Sequence, residues 1–122
     1  MTNPSIFNPA VIADQIPEME FRPLGEFNDG GVGVFWSTAG GPSPWEMHPD
    51  CEELLHVIEG EIDVEILPIE GPSKTHTVEA GSYLIVPRGM WHRQYMKQKT
   101  KELYLTPGRT LHSEAEEPRV GT

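Results

Sequence analysis

A single cysteine, Cys51, leaves this 122-residue chain no partner with which to close an internal disulfide. Stability has to come from a packed core. A chain of this length buries about two thirds of the surface it exposes when unfolded, enough for one domain without covalent staples. Long apolar runs are missing too, since nothing approaches the roughly 18 residues of a membrane span. The opening Met1-Thr2-Asn3-Pro4-Ser5 lacks the basic region and apolar stretch of a signal peptide, so the expected location is the cytoplasm. Basic residues are scarce: nine lysines and arginines against nineteen aspartates and glutamates give a formal net charge of -10. Nucleic acid and anionic membrane surfaces both reward a positive patch, so neither is expected as a partner. Most of the acids read as a solvated surface. Internal repeats and low-complexity segments are absent as well.

What is there is a series of short strands punctuated by glycine and proline. Residues 1–21 form a lead-in containing proline and asparagine, without evident chemistry, expected to dock on the body of the domain or on a neighbouring subunit. Residues 32–38 read as a strand and 39–44 as a loop. Residues 61–67 alternate, which puts Ile62, Val64 and Ile66 toward the core and Asp63 and Glu65 toward water. Residues 75–78, 83–86, 91–96 and 102–106 continue the series, the pattern of a sandwich or barrel. The all-β domain is expected to span 22–110, and residues 111–122 to form a loose polar tail.

Two stretches carry chemistry. In an extended segment side chains two apart project to the same side, so Glu46 and His48 reach one point if residues 45–49 are strand-like. Glu53 opens a short apolar strand that Gly60 closes, and the apolar run 83–86 is stopped by Pro87-Arg88-Gly89 just before His92. Imidazole and carboxylate arriving on separate strands are what a divalent transition metal needs. The plain alternatives are a singly satisfied buried histidine and a solvated carboxylate. Glu46 in particular stands between two readings, a fourth ligand or a side chain turned to solvent or paired with Arg88 or Arg93.

The spacing of these residues resembles that of the cupins. The first cupin motif is a glycine, five residues, His-x-His, three or four residues, Glu, six residues and Gly. The second is Gly, five residues, Pro-x-Gly, two residues, His, three residues and Asn. Gly40, Glu46-Met47-His48, Glu53 and Gly60 stand at the first spacing, with Glu46 in place of the first histidine. Gly81, Pro87-Arg88-Gly89 and His92 stand at the second, with Met96 in place of the asparagine. The resemblance implies a single-domain, all-β jelly-roll barrel, a homodimer, and a divalent transition metal (Fe, Mn or Zn) held by His48, Glu53 and His92, with Glu46 as candidate fourth ligand. Two histidines and two carboxylates would balance the charge of such an ion and disfavour soft Cu(I). The activity implied is that of a metal-dependent oxidoreductase of dioxygenase type, or of an isomerase or lyase, on a small oxygenated molecule. The competing class is a non-catalytic module that binds or senses a small ligand, its metal site weakened or absent, and the fold serves both. A sugar epimerase or phosphate isomerase is disfavoured because no cluster of Arg and Lys stands by beyond Arg88 and Arg93.

Around this site Trp36, Tyr95 and Met96 are expected to line a pocket, and Gln94, two residues past His92, to orient a ligand or a metal-bound water. Phe35, Trp45 and Trp91 read as core. His56, three residues past Glu53, falls on the opposite side of its strand and reads as structural. His76 and His112 read as surface residues and Cys51 as a loop residue.

Overall fold

The computed structural model describes residues 3–120; Met1, Thr2, Gly121 and Thr122, the outer ends of the expected lead-in and tail, lie outside the described residues. The described residues form one short helix, α1 (Pro9–Ala13), and the strands β1 (Arg22–Phe27), β2 (Gly30–Ser37), β3 (Trp45–Met47), β4 (Glu53–Glu59), β5 (Glu61–Leu67), β6 (Lys74–Glu79), β7 (Tyr83–Val86), β8 (Trp91–Met96), β9 (Thr100–Thr106) and β10 (Leu111–Ser113). They build two five-stranded antiparallel sheets, ordered β1-β2-β9-β4-β7 and β10-β3-β8-β5-β6. This is the all-β jelly-roll architecture the sequence implies. Among the described residues no helix is long and apolar enough to cross a membrane.

Strand alternation accounts for the core. Leu55, Val57 and Val86 from one sheet meet Ile62, Val64, Ile66 and Val78 from the other, all nearly excluded from solvent. Burying each such side chain contributes about 1.5–3 kcal/mol. The reverse sides of β4 and β5 behave differently. Asp63 and Glu65, expected in water, are only half exposed or less, because Lys97 pairs with Asp63 while Arg93, Ser73 and Tyr95 close on Glu65. Between β4 and β5, Gly60 holds φ at +98°, and a Cβ there would sit 2.3 Å from Thr100 Oγ1, so both the turn and the close approach require glycine.

Two elements, β1 and the tail, depart from the sequence reading, and the lead-in settles on one of its two expected places. β1 contains Pro23 and Gly25, which the strand pattern disfavours; it forms at the sheet edge, where the register shifts between those residues. The lead-in docks on the barrel: Asn8 caps α1 by accepting from Val11 N–H, and Ala13 and Ile16 pack on Val34 of β2. The tail from Leu111 does not begin loose. Its first three residues form β10, pairing Leu111 with Met47, His112 with Glu46 and Ser113 with Trp45, because Leu111 packs against Trp45, Leu67 and Trp91.

Candidate metal centre

Register brings the ligand candidates together. Glu46 on β3 lies opposite His92 on β8, while Glu53 starts β4 opposite Val86, the residue before the turn that delivers His92. That turn is tied back to the first motif by Gly89 N–H donating to the His48 carbonyl at 2.9 Å. One donor atom from each of Glu46, His48, Glu53 and His92 lies within 4.8 Å of the others. His48 Nε2 and His92 Nε2 stand 3.2 and 3.1 Å from the same Glu53 Oε1, and Glu46 Oε2 is 3.9 Å from His92 Nε2. Ligands about 2.1 Å from one ion are separated by distances of this order. Arg93 does not neutralise Glu46; it binds Glu65 at 2.8 Å and lies over the Trp45 ring.

Hydrogen bonding shows what the cluster suits. Both imidazoles turn Nδ1 toward backbone carbonyls, His48 to Arg109 and His92 to Met90, each at 3.4 Å, and Thr110 Oγ1 lies 3.1 Å from His48 Nδ1. The tautomer with its proton on Nδ1 leaves each Nε2 a lone pair facing Glu53 Oε1, whereas the tautomer with its proton on Nε2 donates to that oxygen, as the 3.1 Å His92 contact allows. His48 Nε2 is buried without a hydrogen-bond partner. Lone pairs facing a carboxylate repel unless a proton or a cation lies between them, so the donor set fits a divalent ion. Electrostatics agree. Burial would lift the Glu53 carboxyl, but the two imidazoles that close on it outweigh burial and pull it down to about 2. For His48 burial works downward, and the adjacent Glu53 carboxylate outweighs it and raises the imidazole. Thr106 Oγ1 donates to the other Glu53 oxygen and fixes the carboxylate.

A cavity of about 580 Å³ opens onto Glu46 and Glu53. Gln94 and Met96 line it. Trp36 and Tyr95 do not, and strand alternation is the reason. Phe35 faces the cavity, so Trp36 faces outward, where its Nε1–H donates to Ile16 O at 2.7 Å. Tyr95 is three residues from His92 and points to the opposite face, its hydroxyl 3.3 Å from Glu65 Oε1.

Two residues near the site escaped the sequence reading. His112, expected at the surface, lines the cavity rim with Nε2 3.3 Å from Glu46 Oε1, placed there by the pairing of β10 with β3. Glu102 is fully buried beside Gln94, whose amide, oriented with its nitrogen toward β9, donates to both carboxylate oxygens at 2.8 and 3.0 Å. Burial, helped by the Glu53 charge, raises its carboxyl well above the usual range. Strand alternation alone could have flagged Glu102 only after β9 was registered against β4, since Leu103 and Leu105 offer the competing apolar face.

Comparison with known proteins agrees with the geometry. Residues 37–107 match the family model described as Cupin domain. This chain is a cupin. It is 31% identical over 97 residues to the uncharacterized protein YdbB of Bacillus subtilis, covering 79% of the chain and 80% of that relative. It is also 36% identical over 62 residues to germin-like protein subfamily 2 member 4 of Arabidopsis thaliana; that match takes in 51% of the cupin chain and only 28% of the plant protein. Among solved structures, a cupin-2 domain protein of Shewanella frigidimarina aligns with TM-score 0.71 and 21% identity over 84% of this chain and 94% of that one. The hydroquinone 1,2-dioxygenase of Sphingomonas sp. TTNP3 aligns with TM-score 0.66 and 17% identity over 81% and 71%.

Proposed function

We propose that this cupin is a metal-dependent oxidoreductase of dioxygenase type acting on a small oxygenated molecule, with a divalent redox-active metal, Mn or Fe, held by Glu46, His48, Glu53 and His92. The observation that carries this reading is the meeting of two imidazole Nε2 atoms on one carboxylate oxygen, with their Nδ1 positions turned to backbone carbonyls. A divalent ion bound there supplies Lewis acidity and orients an oxygen-bearing substrate. The chain supplies the rest. Thr106, Thr110 and the Arg109 and Met90 carbonyls hold the donor set in place. Glu46, one third exposed and 3.3 Å from His112, links the interior to the rim as a proton carrier. The hydroquinone dioxygenase likeness supports the reaction class. The competing reading, a non-catalytic binding module, draws on one observation: Met96 lines the cavity where the motif has its asparagine.

Elemental analysis of untagged protein purified without added metal tests the reading. About one divalent ion per chain is expected, lost in the His48→Ala/His92→Ala double variant while the strand signature in circular dichroism survives. Full metal occupancy in that variant would sink the assignment.

We further infer a homodimer. Tyr83 and Ile85 lie 61% and 48% exposed on one face of the edge strand β7, an apolar strip of the kind subunit contacts cover.

A further inference from the structure

The cavity above the candidate metal centre has a chemical character that the centre itself does not dictate. Its apolar wall is built from Met19, Phe21, Phe35, Leu55, Met96 and Tyr104. Three of these are aromatic and adjoin one another: Phe21 and Phe35 have ring centroids 4.4 Å apart, and Tyr104 lies 6.0 and 6.2 Å from the two. The acids outnumber the basic groups, for the one basic side chain on the lining among the described residues is His112, spent on Glu46 at the rim. Glu46 and Glu53 line the cavity, and Glu102 lies buried behind Gln94. Among the described residues no lysine or arginine lines it. The nearby cations are engaged elsewhere: Arg93 with Glu65, Arg109 with Asp50, Lys101 with Asp14 and Glu59, and Lys99 over the outward-facing Trp36 ring.

The charge balance follows. With a divalent ion in place, Glu46 and Glu53 cancel it. An entering carboxylate would then add net negative charge to a partly enclosed space whose divalent ion is already balanced and whose described lining offers it no lysine or arginine, where a desolvated anion is costly. Aromatic faces offer an uncharged ring stacked and edge contacts that carry no such penalty.

We propose that the cavity selects an uncharged aromatic molecule, of phenol type, and excludes carboxylates of the same shape. This rests on the reading of the cavity as the site of a metal-dependent cupin, but the charge preference comes from the wall and the acids and holds with or without the ion.

A matched pair of probes tests it. 4-Hydroxybenzamide and 4-hydroxybenzoate share a phenol ring and nearly one shape, and at neutral pH differ by one negative charge. Calorimetric titration of the metal-loaded protein should show the amide binding about tenfold or more tightly than the acid. Oxalate, small and doubly charged, should bind more weakly still. Phe21→Ala, at the half-exposed rim, should weaken amide binding by about 3- to 10-fold without changing metal content. Equal or tighter binding of the acid or of oxalate, dissociation constants above about 10 mM for both aromatic probes, or an unchanged affinity in Phe21→Ala would each overturn the proposal. Repeating the titration after chelation separates it from the metal reading. A chain that never held metal yet prefers the amide refutes the metal centre and supports this proposal, whereas a metal-bearing chain that prefers the acid does the reverse.

Discussion

Glu102 shows how one residue can carry a pH signature that its neighbours in sequence do not announce. It sits on β9 between a salt-bridged lysine and a leucine, wholly buried, with Gln94 as its partner. Below its ordinary value of 4.5 the carboxyl is neutral in the folded and the unfolded chain alike and has no effect on stability. Above that value the unfolded chain releases the proton first, so the folded state is progressively disfavoured until the pH passes the raised folded value. Glu102→Gln removes this slope and keeps an amide for Gln94 to bond. The variant should therefore gain stability relative to wild type, and the gain should be larger near pH 8 than near pH 5. Urea midpoints of metal-free protein at the two pH values measure it; an equal difference at both would mean that Glu102 is ionised in the fold. Glu53 works in the opposite sense, since its carboxyl is held at about 2, and the stability it contributes above 4.5 is lost as the pH falls toward that value.

At the scale of elements, the pairing of β2 with β9 shapes the cavity. Gly33 stands opposite Tyr104, and a Cβ at Gly33 would lie 2.2 Å from the Tyr104 hydroxyl oxygen and 2.3 Å from Cζ. The missing side chain is the room the phenol ring occupies. Gly33→Ala must push Tyr104 toward Phe21 and Phe35, and overpacking of this kind costs about 1–3 kcal/mol. The neighbouring Gly31→Ala serves as control, because its Cβ would meet only the Thr106 carbonyl at 3.8 Å, and it should stay within about 0.5 kcal/mol of wild type. Chemical denaturation of the two variants decides the matter: equal midpoints would show that Tyr104 does not rest on Gly33. The same reasoning explains why β10 escaped notice. Three residues are too few to display a period, and only pairing with β3 reveals that His112 belongs at the rim.

For the whole molecule, the question is how the exposed apolar strip on β7 is covered. A homodimer burying Tyr83 and Ile85 should show twice the chain mass by light scattering at micromolar concentration. Tyr83→Glu with Ile85→Lys should shift it toward monomer while leaving metal content unchanged, because both side chains point away from the barrel interior. A single-chain mass for the wild type would refute the dimer.

How much of this was legible in the sequence depends on the range of the interaction. β5, β7 and β8 and the core face of β5 follow from apolar alternation and Gly-Pro punctuation, which are local properties of the chain. The convergence of Glu46, His48, Glu53 and His92 was legible through motif spacing, because strand geometry converts a count of residues into a direction. That geometry also excludes Tyr95 from the face of His92, a consequence the sequence already contained. Which face of β2 and β9 points inward was not legible, since both faces carry apolar residues and only docking of α1 and Ile16 on Val34 and Trp36 distinguishes them. The placement of His112 beside Glu46, the burial of Glu102 and, among the described residues, the absence of lysine and arginine from the cavity wall were decided by tertiary structure alone. Each depends on pairing between segments distant in the chain, and local sequence carries no record of which strand will lie alongside which.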